Sequence, residues 1–141
     1  MADLSSLIRV QKHELDEKQR ELGRLYEKLD TYERYKNNLI KQREQEVALT
    51  AEDAGALSFT IAGFLEKSKQ QEDLVDQHIE TTLNEIDIVR DAMMERFAEL
   101  KKYELTQEER HRIEEKERKL KEGRMFDDIA LDGFRRNQED Q

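Results

Sequence analysis

The sequence predicts an all-α fold: a long antiparallel two-helix coiled-coil hairpin with a C-terminal helical overhang. Three observations carry the prediction. Charged residues make up 42% of the 141 positions and hydrophobic ones only 35%, too little apolar material for a large core but enough for helices that each bury one stripe. Proline is absent, so nothing forces a break inside a long helix. Apolar residues recur in alternating steps of four and three on both sides of one interruption, Thr50 to Ser58. Intrinsic disorder is the competing reading of so much charge, and this periodicity decides against it.

The boundaries follow from the pattern: helix 1 over about 3–50, a turn over about 51–58 and helix 2 over about 59–135, all in one domain. Helix 1 begins near Asp3 or Ser5, either of which suits a cap on the free amides of a first turn. Its seam is Leu4, Ile8, Gln11, Leu15, Lys18, Leu22, Leu25, Leu29, Tyr32, Lys36 and Leu39. Gln11, Lys18 and Lys36 weaken the stripe; they set register, or extend aliphatic stems over it. Gly23 costs roughly 1 kcal/mol relative to Ala inside a helix. In the turn, Gly55 offers the backbone freedom that a tight reversal needs.

Helix 2 carries a matching stripe: Val75, Ile79, Thr82, Ile86, Val89, Met93, Arg96, Leu100 and Tyr103. A chain folded back at Gly55 pairs positions whose numbers sum to about 111, so that Leu22 meets Val89, Leu25 meets Ile86, Tyr32 meets Ile79 and Ile8 meets Tyr103. On this register Leu4 faces about residue 107, where helix 1 runs out. The composition of helix 2 changes at the same place. From Gln107 to Arg124 the only large apolar residues are Ile113 and Leu120. Glu108 precedes Arg112, Glu114 precedes Arg118, Glu115 precedes Lys119 and Glu117 precedes Lys121, each by four and each worth a few tenths of a kcal/mol. Such pairing lets a helix persist without a packing partner, and an overhang of about 28 residues spans roughly 40 Å. Thr106 with Glu109 has the form of a capping box; they are mid-helix residues or mark a joint. Beyond Gly123, apolar residues return as Met125, Phe126, Ile129, Ala130, Leu131 and Phe134. This end is a docking element, or it packs locally and frays.

Several functions are disfavoured. A net charge of −9 argues against nucleic acid and against an anionic membrane surface. No cysteine is present for a disulfide or thiolate. The N-terminal MADLSSLIRV lacks a secretion-signal pattern, and no run approaches the roughly 18 apolar residues of a membrane span. His13, His78 and His111 are far apart in sequence; His111 with Glu115 gives two ligands on one helix, short of a metal site. No phosphate-binding glycine loop and no locally partnered nucleophile occur. The reading is therefore a non-enzyme, with no catalytic, cofactor or metal residues. Two apolar patches remain: Tyr32 and Tyr35 with Leu29, Leu39 and Ile40, and the stretch holding Phe59, Ile61 and Phe64. They bind a partner, or they close the hairpin tip against each other.

Three segments, SSLIRVQKHELDEKQREL near the start, FAELKKYELTQEERHRIEEKERK from Phe97 and MFDDIALDGFRR near the end, with Asp127, Asp128, Ile129 and Ala130 in matching places, resemble the flagellar type III export protein FliJ family in order and spacing. The resemblance spans nearly the whole chain. It implies a stalk-like antiparallel coiled coil similar to the central stalk of rotary ATPases, cytoplasmic and peripherally associated with the inner membrane at the flagellar base. The implied partners are the hexameric flagellar export ATPase, the cytoplasmic region of the export-gate membrane protein and the flagellar export chaperones. By that resemblance the gate contact comprises Leu29, Tyr32, Tyr35, Phe64 and Val75. The ATPase-engaging end comprises Leu4, Ile8, Gln11, Arg110, Ile113, Leu120, Phe126 and Ile129. No nucleic acid, no direct membrane insertion and a monomer when free complete the expectation. The alternatives are an injectisome secretion stalk protein, which shares the same physics, and a structural homodimeric coiled coil with no ATPase partner.

Overall fold

A computed structural model describes residues 3–52 and 58–140, and everything described is helical apart from the extreme ends. Helix α1 is Ser5–Glu52 and α2 is Ser58–Glu139. Residues 53–57, which hold Gly55 and most of the expected turn, lie outside the described residues. The chain divides into two compact units, one made of the chain up to Lys12 and from Ala98 onward, the other of His13–Phe97.

In the His13–Phe97 unit the helices run antiparallel. Glu14 pairs with Arg96, Lys28 with Glu85, Lys36 with Asp76 and Arg43 with Glu72, so rising numbers on α1 meet falling numbers on α2. The heptad stripes make this unit's seam. Leu39, Val75, Ile86 and Val89 are buried, and every other position expected on the stripe is at least half-buried. Burying one such aliphatic side chain contributes about 1.5–3 kcal/mol, which offsets the ordering cost only when repeated along the seam. Among the described residues Thr82 is the most enclosed side chain, and its hydroxyl donates to the His78 carbonyl at 2.8 Å. That bond lets a polar group occupy a core position without an orphaned hydroxyl.

The polar seam residues divide in behaviour. Lys36 sends its ammonium to Asp76 at 2.7 Å, and Lys18 reaches Glu21 at 3.2 Å. Both lay a hydrocarbon stem over the stripe and keep the charge at its edge. Gly23 sits inside α1, and nothing lies within 4 Å of where a Cβ would be. Its cost is thus purely conformational.

In the other unit the helices also run antiparallel. Lys12 lies 4.0 Å from Glu104, and the Gln107 amide donates to the Ser5 hydroxyl at 3.3 Å. Leu100 is buried, while Leu4, Ile8, Gln11 and Tyr103 are half-buried. Asp3 holds the start of α1: one carboxylate oxygen accepts from the Ser5 amide at 3.1 Å and from the Ser5 hydroxyl at 2.8 Å. Those bonds lower the Asp3 pKa below its usual value, with a smaller contribution from the charge of His111. Thr106 is mid-helix, its hydroxyl bonded back to the Lys102 carbonyl at 2.8 Å, so no cap or joint interrupts α2 there.

Candidate functional site

The two groups of residues singled out from the sequence sit in surroundings of different kinds. In the His13–Phe97 unit, Leu29 and Tyr32 are half-buried and Val75 is only 5% exposed. Tyr35 and Phe64 are the outward members of this group. Tyr32 stacks on His78, with ring centroids 5.2 Å apart and planes 8° from parallel, and the Lys28 ammonium lies 6.0 Å from the Tyr32 ring centre. A phenol clasped this way presents a fixed edge, which lowers the entropy lost on contact with a partner. Phe64 borders a shallow groove of about 180 Å³ shared with Leu39, Gln42, Lys67, Ser68 and Gln71.

The structure adds residues that the seam analysis passed over. Leu74 is 57% exposed beside buried Val75, and Ile88 is 68% exposed beside buried Val89. Leu83 is exposed beside buried Thr82, and Met94 beside half-buried Met93. The signal was legible as apolar doublets. Neighbours on a helix point about 100° apart, so only one of each pair faces a narrow seam.

In the unit holding both chain ends, Leu4, Ile8 and Gln11 face inward along α1, and the Gln11 side-chain oxygen is buried without a hydrogen-bond partner. Arg110 is half-buried, and every described residue from His111 to Asp140 is exposed. Ile113, Leu120, Phe126 and Ile129 therefore all lie open, Phe126 the most so. Charge pairs run along this part of α2. Arg112 pairs with Glu109 at 2.6 Å, Glu115 with Lys119 at 3.8 Å, and Arg118 lies 3.9 Å from Glu115 and 3.8 Å from Glu122. Of the four expected partnerships only Glu115–Lys119 takes the expected form; Arg112 pairs three residues back with Glu109, and Arg118 reaches Glu115 three residues back and Glu122 four residues ahead. Each is an exposed pair that holds helical geometry and leaves the apolar side chains free.

His111 sits 3.4 Å from the Gln107 amide nitrogen and 3.8 Å from a Glu114 carboxylate oxygen, beside the Asp3–Ser5 cap. Among the described residues no three His, Cys, Asp or Glu side chains converge as metal ligands, and no helix is long and apolar enough to cross a membrane. What these surfaces offer chemically is contact: aromatic and aliphatic groups framed by charge.

Comparison with known proteins gives one positive result. The family model described as "Flagellar FliJ protein" matches residues 1–139. No curated protein and no solved structure matches the chain significantly.

Proposed function

The chain belongs to the FliJ family, which makes it a component of the flagellar export apparatus, and from that premise we propose that it acts as a stalk-like coiled coil between the hexameric export ATPase and the export gate. The unit carrying both chain ends engages the ATPase. Supporting this is the run of exposed apolar side chains from Met125 to Phe134 on a helix that its own ion pairs hold in shape. Exposed apolar surface on a rigid helix is suited to docking in an apolar groove or channel. The other unit meets the cytoplasmic region of the gate protein through Tyr35 and Phe64, with Leu29, Tyr32 and Val75 as their support. Export chaperones bind the same molecule, which works at the cytoplasmic side of the inner membrane and is monomeric when free.

An asymmetric helix pair inside a ring of six identical subunits contacts them unequally. It biases the ring toward the state it fits best only by that difference in contact. The observation that carries the reading is the exposure of every described residue beyond Arg110 in a helix that nevertheless continues to Glu139. The test is turnover of the cognate export ATPase with the intact chain and with a chain ending at Leu105. The expected result is stimulation by the first and none by the second. Failure of both to bind or to change turnover would overturn the ATPase assignment.

A further inference from the structure

We propose that the interhelical ion pairs of the His13–Phe97 unit are a register lock, selecting one alignment of two helices whose apolar seams fit several. The seam is degenerate. Sliding one helix by a heptad still matches apolar to apolar: on the register read from heptad spacing, Leu25 leaves Ile86 for Ile79 or Met93, and Leu29 leaves Thr82 for Val75 or Val89. Hydrophobic burial therefore discriminates weakly between alignments spaced about 10 Å apart.

The charges are not degenerate. In the observed alignment Lys28 meets Glu85, Lys36 meets Asp76, Arg43 meets Glu72 and Glu14 meets Arg96. One slip sets Lys36 against Lys69, Lys28 against His78, Arg43 against Leu65 and Glu14 against Val89. The opposite slip sets Lys36 against Leu83, Lys28 against Ala92 and Arg43 against Ile79. At the directly equivalent position, every cation of α1 in this set faces a residue without a carboxylate either way. Arg43 matters most, because it and Glu72 are the most enclosed of these partners, with side chains 25% and 19% exposed. A half-buried guanidinium moved onto an aliphatic side chain loses the partner it is packed against, and losing a partner penalises the slipped state more than the pair rewards the native one. The Tyr32–His78 stack is lost in either slip as well. A surface assembled from both helices thus keeps a single composition.

The chain has no cysteine, so disulfide trapping reads the alignment directly. Cysteines are placed at Leu25 and Ile86 for the native register, and at Leu25 with Ile79 or Met93 for the two slips. In the otherwise unaltered chain the native pair should cross-link at least about tenfold more than either slipped pair. Replacing Glu14, Lys28, Lys36 and Arg43 by Gln should raise a slipped cross-link toward the native yield, with helical content retained by circular dichroism. A charge-swapped chain, carrying Lys28→Glu, Lys36→Glu and Arg43→Glu with Glu72→Lys, Asp76→Lys and Glu85→Lys, should restore native-only cross-linking. It decides the matter if the neutralised chain unfolds. Native-only cross-linking in a folded neutralised chain overturns the proposal and assigns the register to the connection between the helices. So does slipped cross-linking in the charge-swapped chain.

Discussion

Ile86 and Ile88 carry the same side chain two positions apart, yet one is 3% exposed and the other 68%. The difference is angular, since positions two apart on a helix point about 200° apart and a narrow seam takes only one of them. Ile86→Ala should cost about 2–4 kcal/mol of unfolding free energy, whereas Ile88→Ala should stay within about 0.5 kcal/mol, both measured by urea denaturation followed at the helical signal. Lys36 gives a second test at this scale. The hydrogen bond from its ammonium to Asp76, aided by the charges of Asp76 and Glu72 and opposed by burial, raises its pKa above the ordinary 10.5. A raised folded-state value means that the contribution is complete below the unfolded value and is lost as pH climbs through the folded one. The stability gap between the unaltered chain and Lys36→Met should therefore be flat from about pH 8 to 10 and close above that, as followed by denaturation midpoints. Tyr103 is shifted in the same direction, chiefly because its hydroxyl donates to Glu99 and ionisation would place two negative charges together.

Each helix is stabilised differently along its length. In the seam, tertiary burial supplies the stability, and polar intrusions are tolerated where the charge escapes sideways, as at Lys18 and Lys36. Beyond Glu114, where every described residue is exposed, α2 is held by local means: charge pairs at three- and four-residue spacing and the absence of proline. Gly23 is a weak point of α1 with free space around it. Gly23→Ala should raise stability by roughly 0.5–1 kcal/mol, because alanine loses less conformational freedom on entering a helix and meets no neighbour. A higher thermal midpoint with unchanged partner binding is the expected result.

At the scale of the whole molecule, the proposed division of labour separates ATPase contact from gate contact. Phe126 and Ile129 lie on the exposed C-terminal part of α2. Replacing both by Ser should leave helical content and thermal unfolding unchanged, and should cut stimulation of the export ATPase at least about tenfold if these side chains anchor the contact. Gate binding, measured separately with the soluble region of the gate protein, should be unaffected. Loss of both activities together would instead place the two partners on one surface.

Much of this was legible in the sequence because a coiled coil is nearly one-dimensional. Heptad spacing identified both stripes, and every seam residue named from spacing alone is buried or half-buried. The same spacing located the place near Gln107 where α1 ends and α2 turns to charge. FliJ membership agrees with the resemblance carried by the three segments. The sequence by itself thus determined the fold class, the two stripes, the family and the exposed C-terminal run. Only the tertiary structure decided which acid each base meets, that Tyr32 stacks on His78 and that Val75 is covered while Leu74 is open. The physical reason is that burial has a period, readable in one dimension, whereas the choice between equivalent charge partners depends on the axial offset of the second helix, which no single stripe contains.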